Sequence, residues 1–299
     1  MKIGLVLPIS ESDDGQLARY AEIRDLARGA EATGLDSVWV YDHLLFRFRE
    51  NPTRGIWEAW TLLAGVAEAT ARVELGTLVV CTAFRNPAVL AKMAATLDEV
   101  SGGRLILGLG AGWHQPEFDA FGLLFDHKVG RFAEALDIIV PLLREGRVDF
   151  TGEYYAAPNC ELTPRGPRPG GPPIMIGAFG PRMLRLTAEH ADAWNTCWLG
   201  QPTKLAERRA ELEAACATVG RDPATLEVTV GINVAVPELG EPAAPDHDPD
   251  TVLTGSADEI AAGLRVYADL GVGHAICALT PNNAAGLDRF AAAVRAYRG

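Results

Sequence analysis

The sequence predicts an α/β fold, a (β/α)8 TIM barrel with an insertion between strands 4 and 5, and three observations carry that prediction. Eight strand-like runs of β-branched and aliphatic residues alternate with helical segments from one end of the 299 residues to the other. That length suits a single α/β barrel. The turn after the first strand lacks the Gly-x-Gly-x-x-Gly fingerprint of an open dinucleotide-binding sheet. It reads Pro8-Ile9-Ser10-Glu11-Ser12, and the nearest candidate, Gly108-Leu109-Gly110-Ala111-Gly112-Trp113, follows the fourth strand and ends on tryptophan.

The runs predict strands near 2–7, 37–41, 73–80, 104–109, 174–177, 192–195, 227–234 and 274–278. Helices are expected over 16–33, 57–70, 87–100, 131–145, 181–190, 203–219, 256–270 and 284–297. Gly34, Gly146, Gly220 and Gly271 follow four of these helices, where a left-handed cap calls for glycine. Ser256 and Glu259 fit a capping box. Two stretches interrupt the alternation: 147–173, with a hairpin expected around Asp149 to Tyr155 and a Pro/Gly-rich run, and 236–250, rich in proline and acid. Both read as inserted loops of one domain spanning 1–299, since no linker divides the chain.

The composition, 48% hydrophobic and 22% charged, suits a globular protein with a sizeable core. A net charge of −12 argues against nucleic acid, whose phosphates demand clustered Lys and Arg. Five cysteines without a Cys-x-x-Cys pair point to reduced thiols, with no disulfide frame and no metal site. The opening apolar run stops at Pro8, too short for a signal peptide, and no stretch reaches the roughly 18 apolar residues of a membrane span. A cytoplasmic enzyme or binding protein is expected.

In a barrel the chemistry sits at the carboxyl ends of the strands. Strand two ends on Asp42-His43, where an imidazole can move a proton near neutral pH and Asp42 could fix its tautomer. A histidine that simply packs at the rim is the other reading. Strand four ends on Gly110, Ala111, Gly112, Trp113 and His114, small residues that let a flat ring approach the backbone or that merely form a tight turn. Strand five ends on Gly177, Ala178, Phe179 and Gly180 before Pro181, which is either an anion-binding helix start or an ordinary strand-to-helix turn. Arg85-Asn86-Pro87 reads as helix initiation, and Ser101-Gly102-Gly103-Arg104 as a stabilising run at the amino-terminal face. His127, His190, His247 and His274 read as structural.

Taken in order, Ser37 to Leu44, Arg72 to Thr77, Arg85 to Lys92, Ala95 to Arg104, Leu107 to Trp113, Ile174 to Gly177 and Ala191 to Asn195 resemble the luciferase-like monooxygenase superfamily, in particular its coenzyme F420-dependent branch. The resemblance implies a tricyclic cofactor across the mouth of the barrel, with Asp42 and His43 lining it and His43 assisting proton transfer. It implies a bulge with a non-prolyl cis peptide at Leu78–Val79 under the ring and Thr82 beside it. Gly110, Ala111, Gly112 and Trp113 would lie beneath the ring edge, with the Gly177 to Gly180 amides at the phosphate.

Two departures stand out. Ala111 occupies the place where sugar-phosphate dehydrogenases of the superfamily carry a glutamate, so a second acid is missing. His114 replaces a usual asparagine, as a proton donor or as a ring contact.

The expected activity is hydride transfer between coenzyme F420 and a small organic substrate. The alternatives are an FMN-dependent monooxygenase, using reduced flavin, oxygen and a partner flavin reductase, and a non-catalytic F420- or flavin-binding protein. A homodimer is implied by the resemblance alone. The substrate pocket would be built from 46–56, 147–173 and 236–250.

Overall fold

The computed structural model describes residues 1–12, 15–48, 52–200, 202–239 and 251–299. Eight strands form the barrel: β1 Lys2–Val6, β2 Ser37–Val40, β3 Glu74–Thr77, β4 Leu105–Gly110, β5 Ile174–Gly177, β6 Ala193–Thr196, β7 Glu227–Ala235 and β8 His274–Thr280. Every neighbouring pair is parallel. The ring closes where β5 lies against β4, with Met175 opposite Gly108, and where β8 lies against β1, with Ile276 opposite Gly4. That closure distinguishes the barrel from an open sheet, and the strands fall where the aliphatic runs put them.

Strand three is shorter than its run. It stops at Thr77, the chain passes through a cis peptide at Leu78–Val79, and Val80–Cys81 then pairs with Leu109–Gly110 of β4.

Nine α-helices surround the ring among the described residues: α1 Tyr20–Ala32, α2 Ala59–Ala69, α3 Pro87–Val100, α4 Gln115–Phe121, α5 Lys128–Glu145, α6 Pro181–His190, α7 Thr203–Val219, α8 Ala257–Asp269 and α9 Ala284–Arg298. The start of α1 at residue 20 rather than 16 is set by its cap: Glu22 reaches back to accept the Arg19 amide at 2.7 Å. Helix α4 is not apparent from periodicity, because seven residues show barely two turns. It begins with Pro116 in its first turn and ends on left-handed Gly122.

The insertion after α5 is a hairpin of Arg147–Thr151 against Ala156–Glu161. Its turn is held by Glu134, whose carboxylate accepts the amides of Glu153, Tyr154 and Tyr155. A second small hairpin, Leu45–Phe46 with Arg54–Gly55, stands beside the mouth. Of the expected loop 236–250, Pro237–Leu239 forms a single 3-10 turn, and 240–250 lie outside the described residues. No helix among the described residues is long and apolar enough to cross a membrane.

The main core lies between the strands and the helices. A smaller cluster fills the barrel itself, with Trp39 at its centre among Val6, Ile106, Met175 and Ile276. Gly76 makes room for that indole, since a Cβ there would sit 2.0 Å from the ring. Truncating such a buried tryptophan costs about 3–5 kcal/mol.

Beneath it, Trp39 Nε1 donates to Ser37 Oγ at 2.6 Å, and Ser37 Oγ lies 2.7 Å from His274 Nε2. The hydroxyl accepts from the indole and shares its second hydrogen bond with the imidazole, which joins strands two and eight beneath the ring. Burial, with the nearby Lys2 and N-terminal charges, pushes His274 down to about 3. Arg104 completes this end: its guanidinium donates to the carbonyls of Ser101, Val73, Ala67 and Thr70 and to Thr70 Oγ1.

Candidate active site

At the opposite end, the carboxyl termini of the strands surround a cavity of about 540 Å³. Its floor is Val79, seated between two glycines. A Cβ on Gly110 would lie 2.5 Å from Val79 Cγ2, and one on Gly177 would lie 3.1 Å from Val79 Cγ1. Both glycines are therefore spacers that let a branched side chain lie flat across the strand ends. Leu78, Ala111, Gly112 and Trp113 continue the lining on one side, and Phe179, Met183, Asn195, Cys197 and Trp198 on the other.

The polar groups pair differently from the expectation. Asp42 does not orient His43. Its carboxylate accepts Arg85 Nη1 at 2.6 Å, Arg85 Nη2 at 3.0 Å and the Cys81 amide at 3.0 Å, while the imidazole is bonded elsewhere. Arg85 also donates to Glu58 at 2.7 Å. Burial pushes the Asp42 carboxyl up against the opposing pull of Arg85, and the same pairing raises the Arg85 guanidinium despite its own burial. The segment read as helix initiation thus has two roles. Asn86 caps α3 through the amides of Ala88 and Val89, while Arg85 ties strand two to α2.

His43 is held instead by Glu117. Its Nδ1 lies 2.9 Å from Glu117 Oε1, and Glu117 Oε2 accepts the Leu44 amide at 2.8 Å. Glu117 is buried in the first turn of α4, and both residues line the cavity. An ionised carboxylate can only accept, so Nδ1 carries the proton and Nε2 is left without a protein partner among the described residues. The acid missing at Ala111 is thereby matched by Glu117, six residues later, on the unexpected helix α4.

Several predicted residues lie beside the cavity without lining it. Thr82 is buried, with Oγ1 on the Gly110 carbonyl at 3.3 Å. His114 is buried too: its Nε2 accepts the Arg47 amide at 3.0 Å, and burial pushes it down from its ordinary value. Ala178 is buried and its amide donates to Asn195 O, so that amide is not free for an anion. Gly180 borders a separate groove between α6 and α7. It caps α6 with φ at +79°, no side chain caps the first-turn amides of this helix, and Pro181 follows as first helical residue.

Cys81 and Cys197 face the cavity, but burial raises both thiols to about 12, which keeps them protonated and poor nucleophiles. Sequence reasoning missed Glu117, Arg85 and Asn195. Only Glu117 had a local signal, an acid after proline at a helix start.

The model of the luciferase-like monooxygenase family matches residues 1–247. Among curated relatives, the chain is 35% identical over 246 residues to an F420-dependent glucose-6-phosphate dehydrogenase of Kineococcus radiotolerans, covering 78% of this chain and 68% of that one. It is 34% identical to a phthiodiolone/phenolphthiodiolone dimycocerosates ketoreductase of a Mycobacterium species, covering 65% and 56%. It is 31% identical to the pyrimidine monooxygenase RutA of Cronobacter sakazakii, covering 55% and 50%. The chain thus spans from half to two thirds of the length of these relatives. A solved F420-dependent secondary alcohol dehydrogenase shares the fold at a TM-score of 0.81 and 22% identity, covering 100% of this chain and 99% of that one.

Proposed function

Because the chain belongs to the luciferase-like monooxygenase family, we propose that it is an oxidoreductase dependent on coenzyme F420, moving a hydride between the deazaflavin and a small organic molecule. The F420-dependent relatives support the choice of cofactor. The observation that carries the reading is the His43–Glu117 pair at the edge of a slot floored by Val79.

The residues fit a flat ring with a phosphate-bearing tail. Val79, flanked by Gly110 and Gly177, offers a flat apolar face with no side chain rising from either glycine. The uncapped first turn of α6 opens beside Gly177 and Phe179, where free amides and the helix dipole favour an anion by roughly 0.3–2 kcal/mol. When bound there, the deazaflavin supplies a two-electron hydride donor or acceptor.

The protein supplies the proton. With Nδ1–H committed to Glu117, Nε2 of neutral His43 presents a lone pair that takes a proton from a substrate hydroxyl during oxidation. In the reverse direction protonated Nε2 returns it to the carbonyl oxygen. The Glu117 carboxylate stabilises the imidazolium in either case. Asp42, fixed by Arg85, holds the strand end that carries His43.

Titration of the purified protein with each cofactor, followed by ring absorbance, tests the proposal. F420 is expected to bind and FMN is not. FMN binding without F420 binding overturns it in favour of oxygen chemistry with reduced flavin, the reading that the similarity to RutA supports.

A further inference from the structure

Resting on the F420-dependent reading, we infer that the substrate of this site is an electrically neutral, largely apolar carbonyl compound or its alcohol, with an aromatic or conjugated face that lies on Trp113. A sugar phosphate or other anion is not its substrate.

The charge distribution argues first. Among the described residues, no Lys or Arg lines the cavity, whereas two carboxylates, Asp42 and Glu117, do. The guanidinium nearest to these, Arg85, is spent on Asp42 and Glu58. Arg208 lies over the Phe179 ring at 4.5 Å and lines the separate groove between α6 and α7. The anion-favouring start of α6 is taken by the cofactor in the proposed arrangement. A second anion placed near His43 would therefore meet the Glu117 charge with no cation among the described lining residues to offset it.

The aromatic wall argues second. Trp113, Phe179 and Trp198 are 58%, 48% and 41% exposed, yet all three line this one cavity. Large apolar rings left open around a concave site mark a ligand surface. Trp113 is also oriented. Phe48 stacks against it with centroids 6.2 Å apart, and the His43 ring meets it nearly edge-on at 5.4 Å. A planar substrate resting on Trp113 thus lies one ring away from the group that handles the proton.

The test uses calorimetry on F420-saturated protein with three titrants: 4-phenylbut-3-en-2-one, its 4-carboxyphenyl analogue and glucose 6-phosphate. The neutral enone is expected to bind at least about tenfold more tightly than either anion, and Trp113→Ala to weaken it by about five- to tenfold while Trp113→Phe stays near wild type. Glucose 6-phosphate or the carboxylate binding as tightly as the enone overturns the inference, as does an enone affinity indifferent to Trp113→Ala. Failure of the cofactor reading shows separately, as absence of F420 binding before any titrant is added. In that event the same ranking and the same Trp113 dependence, measured on cofactor-free protein, decide the substrate class.

Discussion

The two ends of the barrel use the same kinds of side chain to opposite purposes. At the amino-terminal end, His274 is sealed beneath Trp39 with its Nε2 on Ser37, and Arg104 gathers carbonyls from three segments. At the carboxyl end, His43 has one nitrogen fixed by Glu117 and the other turned to a cavity ringed by exposed aromatics. An imidazole sealed from solvent is a structural part held neutral by burial. One with a buried carboxylate behind it and an open lone pair in front is a proton carrier. The difference lies in which nitrogen the fold leaves free, and it can be broken from either end.

The largest effect belongs to His43→Ala, expected to lower turnover by about 10²–10⁴-fold, with a modest loss of stability from the buried Glu117 carboxylate it leaves one partner short. Full turnover in that variant would remove the role assigned to the imidazole. Arg104→Met should do the reverse, costing about 2–4 kcal/mol in urea unfolding through the carbonyls it strands, with F420 affinity retained. A loss of cofactor binding without loss of stability would contradict the division between the ends.

Next comes His274. Its folded value of about 3 lies below its unfolded one, so between these limits the unfolded chain binds the extra proton and acid favours unfolding. Its stabilisation is full above the unfolded value, near pH 6.5, and declines by at most about 1.4 kcal/mol per pH unit as pH falls toward 3. His274→Gln should flatten that part of the stability profile, and an unchanged slope would show that other groups dominate it.

Glu117→Gln carries the smallest effect, a fall in turnover of roughly tenfold, because Gln keeps the shape and loses the charge behind the imidazolium. Nitrogen-15 NMR of His43 separates this from general damage. In the wild type Nδ1 should carry the proton of the neutral ring, and the variant should show a mixture of tautomers.

The barrel was legible because strand runs and glycine helix stops are local signals. The pairing of its charges was not. Asp42 and Arg85 are 43 residues apart, and His43 and Glu117 are 74 apart, so adjacency in sequence favoured the wrong partner for His43. Both residues lie past the end of β2, and their side chains meet partners from different segments, Arg85 just before α3 and Glu117 in α4. The resemblance placed the Leu78–Val79 bulge correctly, whereas Thr82 and His114 turn into backbone contacts that no pattern of residue types announces. The Leu45–Phe46 hairpin had no turn signal strong enough to reveal it.

The seat of Val79 has a practical consequence for redesign. A methyl added at Gly110 would sit 2.5 Å from Val79 Cγ2 and force the valine to move, whereas one at Gly177, 3.1 Å from Val79 Cγ1, asks it to give by far less, so Gly110 should be the less tolerant of the two in a mutant library. Trp113, Phe179 and Trp198 border solvent and can change size without disturbing their neighbours in the core. A search for new substrate scope should therefore randomise the rim and leave the floor alone, since selection can act on the first without first repairing the second.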